Sequence, residues 1–141
     1  MQVSGILQYK GGHIYSIKGD SSVYDALKIM ADENIGALMV MEGERLTGIF
    51  SERDYARKIV LKGASSRETQ VKEIMTENVI TVSGEDTIEK CMELMSTKHI
   101  RHLPVVDKEK VVGLISIGDV VNAIIANQKE TIAHLQQYIS Q

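Results

Sequence analysis

The sequence repeats itself at a spacing of 65 residues. Residues 16–60, the first copy, align without a gap on residues 81–125, the second copy, and ten of these 45 positions are identical. The identical pairs are Gly19/Gly84, Met30/Met95, Ile35/Ile100, Leu38/Leu103, Val40/Val105, Glu44/Glu109, Gly48/Gly113, Ser51/Ser116, Asp54/Asp119 and Ile59/Ile124. A repeated unit of this size buries its apolar face by packing against its neighbour. We therefore expect two copies of one module that share a core.

Each copy predicts the same order of secondary structure. An apolar segment that ends at a glycine turn indicates a strand. Apolar residues at steps of three and four then indicate an amphipathic helix, and two apolar segments around a charged turn indicate a hairpin before a second helix. The segments are Ile14–Ile17, Val23–Ala31, Ala37–Met41 and Leu46–Phe50 in the first copy, and Val79–Val82, Ile88–Ser96, Leu103–Val106 and Val111–Ile115 in the second. We predict an α/β (α+β) fold of two pseudo-symmetric β-α-β-β-α modules packed through their sheets.

A polar segment, Lys62–Gln70, separates the two copies and has the glycine and serine content of a surface linker. We place the first module at residues 1–70, with Val3–Leu7 as its helical lead-in segment. The second module then covers residues 71–141, with Val71–Met75 as the equivalent lead-in. Its last helix continues far beyond the point where the first copy's helix ends.

The extended C-terminal helix contains no Gly or Pro after Asp119. Six of its residues follow steps of four and three alternately: Val121, Ile125, Gln128, Ile132, Leu135 and Ile139. This is the seam of a coiled coil, in which Gln128 would fix the register. A helix that packs on its own module shows the same stripe. The pattern therefore leaves a dimer contact and an internal contact as alternatives.

Charge and hydropathy exclude several classes of function. The net charge is −3 and the basic residues are scattered, which argues against nucleic acid as a partner. No apolar run reaches the roughly 18 residues of a membrane span, and the N-terminus lacks the pattern of a secretory signal. We expect a cytoplasmic protein without a membrane contact.

The most specific shared segment is Gly-Ile-Phe-Ser-Glu-Arg-Asp at residues 48–54 and Gly-Leu-Ile-Ser-Ile-Gly-Asp at residues 113–119. Serine followed three residues later by an acid at a helix start is a capping box, and capping alone accounts for both residues. Glu is the usual acid there, however, and Asp is too short to be ideal. A short acid where a strand meets a helix can instead hold both hydroxyls of a ribose, with phosphate at the helix N-terminus. Gly48 and Gly113 would let such a ligand approach the backbone.

These residues resemble the CBS domains, a family named after cystathionine β-synthase and usually found as tandem pairs called Bateman modules. The resemblance rests on the Gly-x-x-Ser-x-x-Asp pattern in both copies, the lead-in 71–76 (VKEIMT) and the strand region 100–105 (IRHLPV). It implies a regulatory sensor of adenine nucleotides, AMP foremost, with NAD(H), ADP or ATP as alternatives. It also implies a homodimer, formed through the module faces or the C-terminal helix.

The resemblance assigns ligand-binding roles to residues of both copies. Asp54 and Asp119 would bind ribose hydroxyls, and Ser51 and Ser116 would contact ribose or phosphate. The residues expected near the adenine bases are Ile17, Val82, Met39 and Pro104. The basic residues expected near phosphates are Arg101 and His102 for the cleft of Asp54, and Arg53 for that of Asp119, where Gly36 and Ala37 leave space. We therefore expect two unequal clefts, one suited to AMP and one to a longer ligand.

Two other functions stay open at the level of sequence. The chain could be a dimerisation scaffold without a ligand, or a regulatory subunit of an enzyme or transporter and so a partner of a protein effector. Catalysis lacks candidates, since no nucleophile and base can be paired and no P-loop or G-x-G-x-x-G is present. His99 and His102 have no Cys or acid at ligand spacing, so we predict no metal site. His102 could equally be a strand histidine bonded to a nearby carbonyl.

Overall fold

The computed structural model describes residues 1–11 and 13–140. Its elements are α1 (Val3–Lys10), β1 (Ser16–Ile17), α2 (Val23–Glu33), β2 (Ala37–Glu42), β3 (Arg45–Ser51), α3 (Glu52–Asp54), a π-helix (Tyr55–Val60), α4 (Val71–Ile74), α5 (Ile88–Lys98), β4 (His102–Asp107), β5 (Lys110–Ser116) and α6 (Ile117–Ser140). Helices α2 and α5, strands β2 and β4, and strands β3 and β5 begin and end 65 residues apart. The mixed α/β class is confirmed, and the sequence repeat is a structural repeat.

The helices that follow the first strand also end in the same way in both copies. Helix α2 ends at Asn34 and helix α5 at His99, both with φ of 54° in the left-handed region. Their amides donate back to Met30 and Met95, which are themselves a repeated pair. A left-handed residue closes a helix by satisfying one of its free carbonyl groups. The turn into the hairpin is therefore repeated as closely as the strands.

The first compact unit consists of residues 13–80 with the short segment 109–111. Its sheet has the order β1-β2-β3, in which β1 runs parallel and β3 antiparallel to β2. Strand β2 is buried on both faces, and Leu38 and Val40 pack into a core with Phe50 of β3. Apolar side chains of α2 close this core, as the three- and four-residue periodicity predicts.

The second compact unit contains the N-terminal segment that begins at Met1, residues 81–108, and the C-terminal part from residue 112. Its hairpin consists of β4 and β5. The strand predicted at Val79–Val82 is reduced to one parallel bridge between Val82 and Val105. This bridge matches the pairing of Ile17 with Val40 in the first unit, since both residues are shifted by 65 positions.

Each lead-in segment packs on the copy to which the predicted boundary at residue 70 does not assign it. The Val3 amide donates to the Asp86 carbonyl, and the Val71 amide donates to the Ser21 carbonyl, both at 2.9 Å. Residues 1–10 therefore pack on the second copy and residues 71–76 pack on the first. The expectation that Val3–Leu7 leads into the first copy is not met, because its hydrogen-bond partners lie in the second.

The space above the two repeated glycines is filled by these lead-in segments. A Cβ at Gly48 would lie 2.5 Å from the Sδ of Met75 and 2.9 Å from the carbonyl oxygen of Thr76. A Cβ at Gly113 would lie 2.6 Å from a methyl group of Leu7. We expected these glycines to admit a ligand, but in this structure they admit the chain itself.

Helix α6 is exposed along most of its length. Among its described residues only Val120 is fully buried. Ile125, Ile132 and Leu135 of the heptad seam are 44%, 55% and 57% exposed. The alternative in which this stripe packs on its own module is therefore wrong from Ile125 onward. Exposed apolar stripes of this kind are typical of interaction sites.

Candidate functional site

Ser51 and Asp54 form a complete capping box at the junction of β3 and α3. The Asp54 amide donates to the Ser51 Oγ at 3.2 Å, and the Ser51 amide donates to the Asp54 Oδ2 at 3.0 Å. The Ser51 hydroxyl donates to the same carboxylate oxygen at 3.1 Å. The capping box predicted for this motif is therefore present.

The Asp54 carboxylate also has partners outside the box. The Nζ of Lys58 lies 3.1 Å from Oδ1 and donates to the Ile74 carbonyl at 2.8 Å. The Thr76 hydroxyl donates to the same Oδ1 at 3.5 Å. Asp54 is 8% exposed and is the one buried charged residue in the described part of the chain. A carboxylate at such depth requires charged and hydrogen-bonding partners, which these residues provide.

Ser116 and Asp119 repeat the box at the junction of β5 and α6. The Asp119 amide donates to the Ser116 Oγ at 3.1 Å, and the Ser116 amide donates to the Asp119 Oδ2 at 2.8 Å. Lys10, at the end of α1, places its Nζ 2.8 Å from the same carboxylate oxygen. The same ammonium donates to the Leu114 carbonyl at 2.8 Å.

These partners set the charge state of Asp119. Burial opposes its ionisation, but the hydrogen bonds from Lys10 and from the Ser116 amide, together with the charge of Lys10, outweigh burial. The pKa of Asp119 is therefore lowered from 3.8. The group is an ionised acceptor at neutral pH, as a residue that accepts ribose hydroxyls must be.

Half of such a box also occurs outside the predicted site, where the Asp86 amide donates to the Ser83 carbonyl rather than to its hydroxyl. The Ser83 amide donates to the Asp86 Oδ2 at 2.8 Å, and the Lys90 Nζ lies 3.0 Å from the Asp86 Oδ1. The hydrogen bonds from the Ser83 amide and from Lys90 lower the pKa of Asp86. Serine, aspartate and a lysine one turn later are thus a local structural motif. Asp54 and Asp119 differ from Asp86 because each follows the second strand of a hairpin.

The other predicted residues of the first copy lie next to its box. The Gly36 carbonyl accepts a hydrogen bond of 3.1 Å from the first amide of α3, and Ala37 is paired with Ser51 across the sheet. Met39 follows two residues later in β2, beside the strand that carries Ile17. Arg53 lies in α3 between the two residues of the box. Gly36, Ala37 and Arg53 therefore lie with the box where β2 begins and β3 ends, and Met39 and Ile17 lie further along the same sheet.

The second copy gathers its own residues in the same way. The Arg101 carbonyl accepts a hydrogen bond of 2.8 Å from the first amide of α6. His102 is the first residue of β4, and the Pro104 carbonyl accepts a hydrogen bond of 3.0 Å from the Val82 amide. The equivalence of Gly36 with Arg101 thus extends to the backbone, whereas their side chains differ completely.

Three partners of the motif acids were not among the predicted site residues. Lys58 was visible one turn after Asp54, but its spacing is equally typical of a solvated helix face. Thr76 ends the 71–76 segment, whose packing on the first copy the sequence does not reveal. Lys10 carried no signal at all, because only the docking of α1 on the second copy brings it to Asp119.

Comparisons with known proteins agree with this architecture. The family described as the CBS domain matches residues 12–61 and 71–126. The mitochondrial CBS domain-containing protein CBSX3 of Arabidopsis thaliana is 45% identical over 125 residues, which are 85% of this chain and 61% of that protein. This chain therefore spans less than two thirds of that relative. Homoserine O-acetyltransferase of Methanosalsum zhilinae is 35% identical over 120 residues, 84% of this chain but 23% of that enzyme.

Solved structures give the same result for the fold. A protein with CBS domains from Burkholderia ambifaria has a TM-score of 0.87 at 47% identity, covering 91% of this chain and 96% of that one. The CBS domain pair of protein MJ0100, in complex with 5′-methylthioadenosine and S-adenosyl-L-methionine, has a TM-score of 0.79 at 28% identity and covers 90% and 98%.

Two copies of a strand-helix-hairpin-helix unit, each with a capped aspartate where its hairpin meets a helix, define a tandem regulatory module. The chain belongs to the CBS-domain family. Its match to an acetyltransferase covers a minor part of that enzyme, so this match assigns no acyl transfer to the chain.

Two further observations concern metals and membranes. Within residues 1–11 and 13–140, no group of three His, Cys, Asp or Glu side chains could hold a metal ion. No helix in the same part of the chain combines the length and apolar character needed to cross a bilayer.

Proposed function

We propose that the protein is a regulatory module that binds adenine nucleotides at two non-equivalent sites. The observation that carries this proposal is the aspartate held by a capping box at the start of a helix in both copies, beside the strands that would flank a base. The adenosine ligands of the MJ0100 CBS pair support the same ligand class. The protein would change its conformation or assembly when a nucleotide binds, and would not transform the nucleotide chemically.

The first site would be built on Asp54 and Ser51. Asp54 would accept a ribose hydroxyl, with Ser51 beside it for ribose or phosphate. Ile17 and Met39 are buried in neighbouring strands and would form the apolar surface against adenine. Gly36 and Ala37 lie beside this box at the start of β2.

The second site would be built on Asp119 and Ser116. Val82 and Pro104, joined by a backbone hydrogen bond, would flank the base. Arg101 and His102 lie at the positions that Gly36 and Ala37 occupy in the first copy. Their side chains and that of Arg53 would set the phosphate preference of the two sites, one for AMP and one for NAD(H), ADP or ATP. Which acid each basic side chain serves stays a prediction.

Calorimetric titration with AMP, ADP, ATP and NADH tests this proposal. Asp54→Ala and Asp119→Ala each remove a charge-assisted contact, so each is expected to weaken one site by about 10- to 150-fold. Asp86→Ala is the matched control, because it removes an aspartate from the same local motif outside the sites. Wild-type protein that binds none of these ligands, or variants that bind like Asp86→Ala, would overturn the proposal.

A second function, assembly, is favoured by the exposed seam of α6. We propose that this stripe and the module faces form a homodimer, and that the dimer is what a nucleotide regulates. Were the Asp boxes only caps, the chain would be a dimerisation scaffold without a ligand. Sedimentation of the wild type with and without AMP separates these functions, because a scaffold would sediment identically in both samples.

A protein effector is the remaining candidate partner. The match of this module to a minor part of a homoserine O-acetyltransferase supports a regulatory role toward an enzyme. Affinity capture from the host extract, with AMP present or absent, tests it by asking whether any partner depends on the ligand. We propose the cytoplasm as the site of action, although the Arabidopsis thaliana relative is mitochondrial, and a fluorescent fusion in the host decides between them.

A further inference from the structure

Each motif aspartate is paired with a lysine, but the two lysines come from different places in the chain. Lys58 reaches Asp54 from one turn further along the same helical segment, at 3.1 Å. The position equivalent to Lys58 in the second copy is Ala123, which has no charge. Lys10 of α1 reaches Asp119 instead, at 2.8 Å. Both aspartates are therefore paired with a lysine, although the two lysines do not lie at equivalent positions of the repeat.

The position of Lys10 depends on how α1 is anchored. Val3 and Ile6 are buried, and the Val3 and Ser4 amides donate to carbonyl oxygens of the second copy at 2.9 Å. The Leu114 carbonyl accepts a second hydrogen bond from the Lys10 ammonium. The charge is therefore held beside Asp119 by the fold of its unit.

Lys10 and Asp119 also line an open groove. Helices α1 and α6 line this groove, which has a volume of about 520 Å³. Gly5 and Ala123, both small, are among the residues that line it. A space of this size is within the range of small-molecule sites in proteins. A ligand held by Asp119 would therefore have room for a substituent next to the ammonium.

We propose that Lys10 is a ligand-binding residue of the second site and selects adenosine ligands with an anionic substituent. This inference rests on the proposed function. A carboxylate without a counter-charge would repel phosphate, whereas an ammonium beside it compensates that charge and can donate to a phosphate oxygen. Without Lys10, the charge preference of the site should reverse.

Lys10→Met tests the inference, because it keeps most of the length and apolar stem but removes the charge. The titrations use neutral adenosine, anionic ATP and cationic S-adenosylmethionine, in an Asp54→Ala background that isolates the second site. We expect the affinity for ATP to fall about 10- to 150-fold and that for adenosine to stay within about twofold. The affinity for S-adenosylmethionine should rise. If Lys10 had only a structural role, Lys10→Met would lower the affinity for all three ligands together.

Two further variants make the result specific. Lys58→Met in the same background is the matched control, since it removes a lysine of the first copy and should leave the second site unchanged. Ala123→Lys, added to Lys10→Met, places an ammonium one turn after Asp119 as in the first copy, and should restore ATP binding.

The outcomes separate this inference from the function on which it rests. An equal loss for all three ligands, or no loss for ATP, would overturn the role of Lys10 and leave the nucleotide site standing. Wild-type protein that binds no adenosine ligand would overturn both. Recovery by Ala123→Lys supports the inference, because it returns an ammonium to Asp119 even though the new side chain adds bulk to the groove.

Discussion

Val3 and Val71 occupy the same structural position in the two units. The Val3 segment comes directly before the first copy but bonds to the second, and the Val71 segment comes directly before the second copy but bonds to the first. The Val3 amide bonds to Asp86 and the Val71 amide to Ser21, both at 2.9 Å. Both valines are fully buried. The N-terminal helix is therefore part of the core of the second copy, although the whole first copy lies between them in the chain.

Val3→Ala should destabilise the second unit. The loss of two buried methyl groups and the cavity they leave is expected to cost about 2 kcal/mol. Hydrogen exchange is the measurement, with faster exchange expected in α5 and β4 while β2 and β3 stay protected. Val71→Ala is the matched control and should show the reverse pattern. Equal loss of protection in both units from either variant would contradict the exchange of lead-in segments.

Gly48→Ala should be more damaging than Gly113→Ala. The new methyl group at Gly48 would meet the Thr76 backbone oxygen at 2.9 Å as well as Met75, whereas at Gly113 it would meet the flexible end of Leu7. Overpacking of this kind costs about 1–3 kcal/mol, and the rigid backbone leaves Gly48→Ala at the upper end. Urea unfolding gives both values. If Leu7→Ala does not restore Gly113→Ala, the steric explanation is wrong.

Stability should depend on pH through Asp119. Its pKa in the folded protein is below 3.8, so the unfolded state binds a proton more readily and the stabilisation is complete above that pH. As the pH falls through the folded pKa, the stabilisation is lost. The free-energy difference between wild type and Asp119→Asn should therefore be larger at about pH 6 than at about pH 3.

Urea unfolding at both pH values provides that comparison. Lys10→Met should reduce the pH dependence, because Lys10 is among the causes of the lowered pKa. Asp86→Asn is the control, since its pKa is also lowered but its partners are the Ser83 amide and Lys90. A pH dependence that Lys10→Met leaves unchanged would show that the ion pair does not act on Asp119 in solution.

The repeated elements were predictable from sequence because their causes are local. Apolar segments and helical periodicity predicted the hairpins and the helices before them in both copies, whereas the strand expected at Val79–Val82 is a single bridge. Strands β2 and β3 differ from Ala37–Met41 and Leu46–Phe50 by one residue at most at either end. The capping boxes were predictable for the same reason. Serine and aspartate three residues apart interact within one turn.

Long-range partners could not be predicted in this way. Nothing in the pattern of Val3–Lys10 distinguishes packing on the first copy from packing on the second, because both copies present the same apolar face. Lys10 and Gly113 acquire their roles only through that choice. The stripe of α6 was equally ambiguous, since an internal contact and a dimer contact require the same spacing.

The exposed seam of α6 gives the last prediction, that the chain forms a dimer which Ile132→Glu weakens. Ile125, Ile132 and Ile139 alternate along the seam with Gln128 and Leu135, and isoleucine at one heptad position with leucine at the other favours two parallel strands. Lys129 and Glu130 are the only Lys, Arg, Asp or Glu residues after Asp119, so two copies of the helix would meet with little repulsion.

Sedimentation equilibrium over a range of concentrations measures the dimer. A glutamate at the centre of the seam buries a charge without a partner, and we expect the dissociation constant to rise at least tenfold, about 1.4 kcal/mol. Gln137→Glu adds the same charge on the opposite side of the helix and should leave the constant unchanged. A seam of this length is marginal by itself, so the module faces must add to the contact. A monomeric wild type, or equal effects of the two variants, would remove α6 from the interface.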